Sequence, residues 1–286
     1  MSSMENLLGL YEKALPRGMD WPAKLKMARQ LGFDFLELSV DESDDRLFRL
    51  YWTKEEKRRL LQYIDAAGTP IMTMCFSGHR RYPLGSRSSE IRRQALELME
   101  KAMEFAKDVG IRVIQLAGYD VYYEEQGEDT KANFLAGLKR SVDLAEKHQV
   151  MLAIEIMDTP FMNSIQKYMV YDRQIQMPWL TVYPDLGNLS AWGNDLEQEL
   201  ELGYPRIVAV HVKETKTVTD SFAGQFRDVP FGEGDVDFVK AFKKLKALRY
   251  KGPFVIEMWG DKMKDPMAEI TRSRQFVLDK LREGGF

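Results

Sequence analysis

Short apolar runs alternate with longer amphipathic stretches along almost the whole chain. Several of the runs are rich in Val and Ile, and Gly, Pro or charged residues bound them, which is typical of buried strands. The pattern predicts eight strands, at residues 7–11, 35–40, 70–76, 112–117, 151–157, 180–184, 207–212 and 253–258.

The stretches between these strands have the periodicity and the end signals of helices. Asp20 precedes one such stretch, which has Pro22 in its first turn and ends at Gly32. Another begins at Thr53 with Thr-Lys-Glu-Glu, which is typical of a capping box. We expect helices at residues 21–32, 53–68, 88–110, 131–148, 195–203, 237–250 and 266–281, and a shorter one near 164–176.

Strict alternation of eight strands with eight helices predicts a parallel sheet with helical crossovers. Eight repeats in 286 residues fit a closed (β/α)8 barrel, the TIM barrel, which takes about 250 residues. We therefore expect one barrel domain over residues 1–286. An open, doubly wound sheet is the alternative, but no Gly-x-Gly-x-x-Gly follows the first strand, as its dinucleotide-binding form requires.

Composition excludes several classes of protein. Apolar residues make up 44% of the chain and charged residues 30%, so a large core is available and disorder is excluded. The formal net charge of −3 gives no general attraction to nucleic acid or membrane. Cys75 is the single cysteine, which excludes a disulfide framework. Because no apolar run spans a bilayer and residues 1–16 contain no signal-peptide core, we expect a cytoplasmic protein.

Four ionisable residues lie at or near the ends of the last four predicted strands: Glu155, Asp185, His211 and Glu257. Alternation puts Glu155 on the same side of its strand as Ala153, opposite the larger isoleucines. His211 and Glu257 likewise oppose the bulkier apolar residues of their strands. Because the bulkier side should face the helices, we expect the ionisable side chains to face the barrel interior. They would lie at the end where barrel enzymes have their active sites.

Carboxylates that converge in a buried interior need a partner. An unpaired buried carboxylate is costly, and neighbouring carboxylates repel one another. A divalent cation resolves both problems, and three carboxylates with one imidazole suit Mn²⁺, Co²⁺, Mg²⁺ or Zn²⁺. Each residue taken alone also fits a structural role, as half of a salt bridge or as a hydrogen-bonded core histidine. Four at equivalent positions of consecutive strands favour a metal site.

Seven short motifs extend over nearly the whole chain. They are GLYEKALP at 9–16, ELSVDES at 37–43, SGHRRYP at 77–83, AIEIMD at 153–158, DLGN at 185–188, HVKET at 211–215 and PFGEG at 230–234. Together they resemble the sugar-phosphate 3-epimerases of the xylose-isomerase-like barrel superfamily, in the L-ribulose-5-phosphate (L-xylulose-5-phosphate) 3-epimerase branch. The last three occur across the superfamily, and the first three are more diagnostic of this branch.

The resemblance implies a metal-dependent enzyme that inverts C3 of a pentulose 5-phosphate. It implies that Glu155, Asp185, His211 and Glu257 bind one divalent ion, Zn²⁺, Mn²⁺ or Co²⁺, and that Glu155 and Glu257 are the acid/base pair. Inversion removes a proton next to the carbonyl and returns one to the opposite face, which two glutamates can do. The cation stabilises the enediolate between these steps, and no nicotinamide or flavin is needed.

Two positions depart from the free-ketose 3-epimerases of the superfamily. Phe161 stands where those enzymes have a second Glu, and Asn188 stands where they have a His. Both departures argue against an unphosphorylated ketose. Arg227 resembles the superfamily arginine that contacts substrate hydroxyls, although a solvated loop arginine fits the sequence equally well. We include Asn188 and Arg227 among the expected substrate-binding residues.

A basic loop after the third strand is the candidate phosphate site. It contains His79, Arg80 and Arg81, and arginine binds phosphate bidentately. A surface charge run is the structural alternative. Glu12 and Lys13 follow the first strand and either pair with each other or line the pocket. We also include Glu12 among the expected substrate-binding residues.

Three other functions compete with the sugar-phosphate 3-epimerase. An aldose–ketose isomerase would use the same metal site to move a proton between C1 and C2. An abasic-site endonuclease shares the superfamily but needs zinc ions held by many histidines, and this chain has only three. A non-catalytic sugar-phosphate-binding barrel would keep its binding in a Glu155→Gln variant. Related barrels commonly pair through their helices, so a homodimer is expected by analogy.

Overall fold

The computed structural model describes residues 5–286, which form one parallel sheet in the order β6-β5-β4-β3-β2-β1-β8-β7. Isolated bridges from Val182 to Ile207 and from Asp185 to His211 join the two outer strands, so the sheet closes into the predicted barrel. The strands are β1 (Leu8–Tyr11), β2 (Phe35–Val40), β3 (Ile71–Phe76), β4 (Val113–Ala117), β5 (Met151–Glu155), β6 (Leu180–Tyr183), β7 (Val210–Val212) and β8 (Phe254–Ile256).

Helices follow the strands and surround the barrel. Most begin at a Ser, Thr or Asp whose side chain accepts a hydrogen bond from the first turn, as at Thr53, where the predicted capping box forms. The α-helices are α1 (Trp21–Gln30), α2 (Asp44–Leu47), α3 (Lys54–Ala67), α4 (Ser89–Val109), α5 (Glu128–His148), α6 (Ile165–Ile175), α7 (Leu186–Ala191), α8 (Leu196–Gly203), α9 (Phe238–Ala247) and α10 (Pro266–Glu283).

The predicted elements are present, with differences at their ends. The strand predicted from Ile207 begins at Val210, because Ile207 makes only an isolated bridge. Helices α2 and α7 were not predicted, since elements this short carry no helical periodicity. The predicted domain includes residues 1–4, which lie outside the described residues. Within residues 5–286, no helix is both long enough and apolar enough to cross a membrane.

Two apolar layers lie on the two sides of the sheet. The outer layer packs strand residues against the helices. The interior layer is smaller and consists of Tyr11, Phe35, Cys75, Val113, Ala153, Tyr183, Ala209 and Val255. Glu155, His211 and Glu257 each lie two residues beyond a member of this interior layer. The predicted inward orientation of these three side chains is therefore confirmed.

Parallel register brings the site residues to one level of the barrel. Glu155 pairs with Tyr183 of β6, and His211 pairs with Val255 of β8. Asp185 forms its bridge with His211 just past the end of β6. The carboxyl ends of these strands therefore meet at one end of the barrel, above the interior apolar layer.

Candidate active site

Four buried side chains converge at the carboxyl ends of β5 to β8. Glu155 ends β5, Asp185 follows β6, His211 lies within β7 and Glu257 follows β8. One oxygen or nitrogen atom from each lies within 4.8 Å of the corresponding atoms of the other three. The structure therefore brings together the four residues that the sequence predicted as metal ligands.

Asp185 is oriented by the start of a helix. It is the N-cap of α7, and its Oδ1 accepts a hydrogen bond of 2.8 Å from the backbone N–H of Asn188. Its Oδ2 is left facing the cluster. The close approach of α7 to β7 requires Gly187, because a Cβ there would lie 2.6 Å from the carbonyl oxygen of Lys213. A helix cap thus fixes one carboxylate oxygen and leaves the other for the site.

His211 faces the carboxylates with both ring nitrogens. Its Nδ1 lies 2.9 Å from Glu155 Oε1, 3.8 Å from Glu257 Oε2 and 3.9 Å from Asp185 Oδ2. On the other side of the ring, Nε2 donates a hydrogen bond of 2.6 Å to Glu37 Oε1. Burial opposes the charged imidazole, but the Glu37 and Glu257 carboxylates raise the pKa of His211 well above its ordinary value.

Lys213 is a site residue that the sequence analysis missed. Its Nζ lies 2.9 Å from Asp185 Oδ2 and 3.0 Å from Glu257 Oε2. The signal was present, because Lys213 is two residues after His211 and therefore on the same side of the chain. Neither contact has hydrogen-bond geometry, so the two carboxylate oxygens have no hydrogen-bond partner among residues 5–286.

Burial disfavours the ionised forms of the carboxyl groups in this cluster. It raises the pKa of Glu155, and it raises the pKa of Asp185 to about 7 against the opposing charge of Lys213. For Glu257, Lys213 and His211 outweigh burial and lower the pKa to about 2. The carboxylates of this cluster therefore differ in pKa, because burial outweighs the neighbouring positive charges at Glu155 and Asp185 but not at Glu257.

The charge balance and the donor atoms fit a divalent cation. In the part of the chain that the structure describes, four buried carboxylates meet one ammonium and at most one imidazolium, which leaves at least two negative charges uncompensated. The carboxylates belong to Glu37, Glu155, Asp185 and Glu257. Two buried carboxylate oxygens without hydrogen-bond partners, beside an imidazole nitrogen, are ligands that Mn²⁺, Co²⁺ and Zn²⁺ accept.

The pocket above the cluster includes some of the predicted substrate-binding residues. Arg80, Asn188 and Arg227 line it, together with Lys13, for which the sequence left a place in the pocket wall open, and Asp158, which was not predicted. The Asn188 Nδ2 donates to the carbonyl oxygen of Ile156 at 2.8 Å, which holds this side chain at the pocket wall.

Arg80 and Arg227 both line the pocket, and each lies against an aromatic ring. The Arg80 guanidinium lies 5.1 Å from the ring centre of Tyr122, and its Nη2 donates to Tyr119 OH at 3.2 Å. Tyr119 OH in turn donates to Asp158 Oδ1 at 2.8 Å. Arg227 lies 4.9 Å from the ring centre of a tryptophan that follows β8, Trp259. Two cations are thus held at the pocket rim.

His79 and Arg81 lie elsewhere, although they flank Arg80 in sequence. His79 is buried, and its Nε2 lies 3.3 Å from the carbonyl oxygen of Ala95 in α4. Burial lowers the pKa of His79 to about 4. Arg81 is on the surface, where its Nη1 lies 2.5 Å from Asp44 Oδ1. Substrate contacts by His79 and Arg81 stay predictions that this arrangement does not favour.

Glu12 lies in a buried ionic cluster beside the pocket wall. Its carboxylate contacts Lys24 Nζ at 2.6 Å, Arg49 Nη1 at 2.6 Å and Arg46 Nη1 at 3.1 Å. It also accepts a hydrogen bond of 2.9 Å from the backbone N–H of Ser39. It pairs with these residues instead of Lys13, so the structure gives Glu12 a stabilising role between β1, β2 and α1. Burial opposes its charge, but these cations hold the pKa of Glu12 well below its ordinary value.

Phe161, where the free-ketose enzymes have a Glu, points into the outer core. Its ring centre lies 5.2 Å from that of Phe134 and 5.9 Å from that of Tyr171. The position that departs from the free-ketose pattern is therefore part of an aromatic cluster in this chain.

The chain is similar to known proteins over its full length. A family model described as a xylose isomerase-like TIM barrel matches residues 25–280. A putative L-ribulose-5-phosphate 3-epimerase of Escherichia coli (strain K12) is 53% identical over 279 residues, which cover 98% of each chain. An L-ribulose-5-phosphate 3-epimerase of Escherichia coli (strain SMS-3-5 / SECEC) is 52% identical over 285 residues, which cover 100% of this chain and 98% of that protein.

A solved structure has the same barrel at much lower sequence identity. It is the D-psicose 3-epimerase of Clostridium cellulolyticum H10 with D-tagatose, which superposes with a TM-score of 0.79 at 15% identity. The match covers 96% of this chain and 98% of that one. Identity this low bears on the fold alone, and it agrees with the eight-stranded barrel described above.

We predict that Glu12→Gln lowers the free energy of unfolding by about 3–5 kcal/mol, because it leaves buried cations without their carboxylate. Since the folded pKa of Glu12 is below its ordinary value of 4.5, its contribution is complete above that pH and is lost as the pH falls. Urea unfolding at several pH values measures this. Asp45→Asn, which breaks the exposed pair with Arg17, is the control and should cost less than about 1 kcal/mol. A raised KM at unchanged stability would instead assign Glu12 to the substrate.

Proposed function

Because the chain belongs to the L-ribulose-5-phosphate 3-epimerase family of xylose isomerase-like TIM barrels, we propose that it interconverts L-xylulose 5-phosphate and L-ribulose 5-phosphate. The resemblance found in the sequence motifs is confirmed, and the chain is an enzyme of the isomerase class. The observation that carries the proposal is the buried cluster at the ends of β5 to β8, in which two glutamates approach one point from different strands.

The proposed reaction inverts C3 by proton transfer. The C3 proton lies next to the C2 carbonyl, so its removal gives an enediolate, and return of a proton to the opposite face gives the epimer. Glu155 on β5 and Glu257 after β8 are separated by two strands around the barrel. Their carboxylates therefore reach the cluster from different sides, as a pair that serves opposite faces of C3 must.

The same cluster would hold the cation. Glu155, Asp185, His211 and Glu257 would ligate one Zn²⁺, Mn²⁺ or Co²⁺ ion, which supplies positive charge to the carbonyl and enediolate oxygens. Asp185 is fixed by the N-terminus of α7 and His211 by Glu37, so these two ligands are oriented before any cation binds. Lys213 adds a fixed positive charge beside two of the four.

The phosphate is assigned to the rim of the pocket. Arg80 is the cation of the predicted basic loop that lines it, and its guanidinium is oriented by the rings of Tyr119 and Tyr122. Its Nη2 donates to Tyr119 OH, but its Nη1 forms no hydrogen bond within the described residues, so a donor is available. Lys13 also lines the pocket but lies 2.5 Å from Asp41 Oδ2. We therefore assign the phosphate to Arg80.

We expect the reaction in D₂O to place deuterium at C3. The enzyme, supplied with Mn²⁺ or Zn²⁺, is incubated with L-xylulose 5-phosphate, and the product is identified by nuclear magnetic resonance. L-ribulose 5-phosphate with deuterium at C3 supports the proposal, because the returning proton comes from an exchangeable carboxyl group. Deuterium at C1 or C2 only would indicate an aldose–ketose isomerase. Absence of turnover with every divalent metal would contradict the proposal.

We predict that Glu155→Gln and Glu257→Gln each lower kcat by orders of magnitude, because each removes one proton-transfer group. Asp185→Asn is the matched control, since Asp185 is assigned to the metal and not to proton transfer. Its activity should recover substantially at high metal concentration, whereas that of the two glutamine variants should not. Metal content is measured for every variant. Near-normal kcat in either glutamine variant would exclude that glutamate as an acid or base.

We predict that Arg80→Ala raises KM for L-xylulose 5-phosphate more than tenfold, because it removes a charge-assisted contact worth about 1.5–3 kcal/mol. Arg81→Ala is the matched control, since its side chain is on the surface, and its KM should stay unchanged. Steady-state kinetics with Lys13→Ala as a third variant measures which cation matters. A large increase of KM in Lys13→Ala with no change in Arg80→Ala would instead assign the phosphate to the β1 side of the pocket.

A further inference from the structure

We propose that Glu37, on β2, is a positioning residue for the metal site, because its carboxylate holds His211 with Nδ1 directed at the cation. The inference rests on the proposed function for the presence of that cation. Glu37 opens the ELSVDES motif, which the sequence analysis identified without assigning its residues a role.

The Glu37 carboxylate is held from three other strands. It is fully buried, and its Oε1 accepts the 2.6 Å hydrogen bond from His211 Nε2 on β7. Its Oε2 accepts from Tyr183 OH on β6 at 2.8 Å and from Thr73 Oγ1 on β3 at 2.7 Å. Three donors therefore determine where this carboxylate lies, and the carboxylate in turn determines where the imidazole lies.

The imidazole is fixed on its face as well as at its edge. The ring of Tyr183 lies 4.7 Å from the ring of His211 and is inclined to it by 61°. With Nε2 bound to Glu37, Nδ1 is the nitrogen that faces Glu155, Asp185 and Glu257. A histidine that donates its far N–H to a carboxylate presents the lone pair of its other nitrogen, and the carboxylate increases the basicity of that nitrogen.

A purely structural role explains the negative charge of Glu37 less well. Burying a carboxylate is costly, and two hydroxyl groups could be satisfied equally well by a neutral amide. Within the part of the chain that the structure describes, the Glu37 carboxylate contacts His211 and no lysine or arginine. The negative charge of Glu37 therefore acts on one proposed metal ligand, His211.

The test measures metal binding to the metal-free protein, independently of turnover. Co²⁺ is the probe, because its visible absorption reports the ligand geometry and competition with a chelator gives its Kd. We expect Glu37→Gln to weaken Co²⁺ binding about 10–100-fold and to change the absorption spectrum. Glutamine has nearly the same shape and can still pair with both hydroxyl groups, and urea unfolding of the metal-free variant checks that it folds.

Glu214→Gln is the matched control. Glu214 is also buried, but it accepts hydrogen bonds from backbone N–H groups, including that of Gly232 at 2.9 Å, and contacts no proposed metal ligand. We expect this variant to lose stability without any change in the Kd or spectrum of Co²⁺. Wild-type Kd and spectrum in Glu37→Gln, or an equal weakening in both variants, would overturn the inference. A wild-type protein that binds no divalent metal would instead overturn the proposed metal site itself.

Discussion

The burial of four carboxylates around one imidazole is the constraint on which this structure depends. Each carboxylate removed from water is costly, and four that share one interior also repel one another. Lys213 and His211 compensate at most two of the charges. At least two negative charges remain, which a divalent cation would compensate, so the arrangement makes physical sense as a site for one.

The barrel makes this arrangement attainable because it fixes each carboxylate separately. Parallel strands end at the same level, and alternation along each strand places small apolar residues such as Ala153 and Ala209 beneath the site. Local contacts then select the orientation of each side chain. Asp185 caps a helix through one oxygen, and Glu37 is bound by two hydroxyl groups and an imidazole. The orientation of these side chains therefore depends largely on hydrogen bonds to groups outside the four proposed metal ligands.

Much of this could be predicted from the sequence, since strand alternation is a local property. Eight repeats predicted the barrel, and parity within single strands predicted the inward side of Glu155, His211 and Glu257. The same parity applies to Lys213, which was overlooked. It also places Glu37 inward, two residues beyond Phe35, but its partner His211 lies across the barrel interior, so strand parity alone does not show what Glu37 contacts. The basic loop contains three candidates, and only packing decides that Arg80 faces the pocket while His79 and Arg81 do not.

The central claim is that one divalent cation lies among the four predicted ligands, and anomalous diffraction tests it most directly. Crystals grown with Mn²⁺, Co²⁺ or Zn²⁺ are measured on both sides of the absorption edge of that metal. The account predicts one strong anomalous peak, bounded by carboxylate oxygens of Glu155, Asp185 and Glu257 and by His211 Nδ1. A map with no peak there, in which Lys213 alone bridges Asp185 and Glu257, would contradict it.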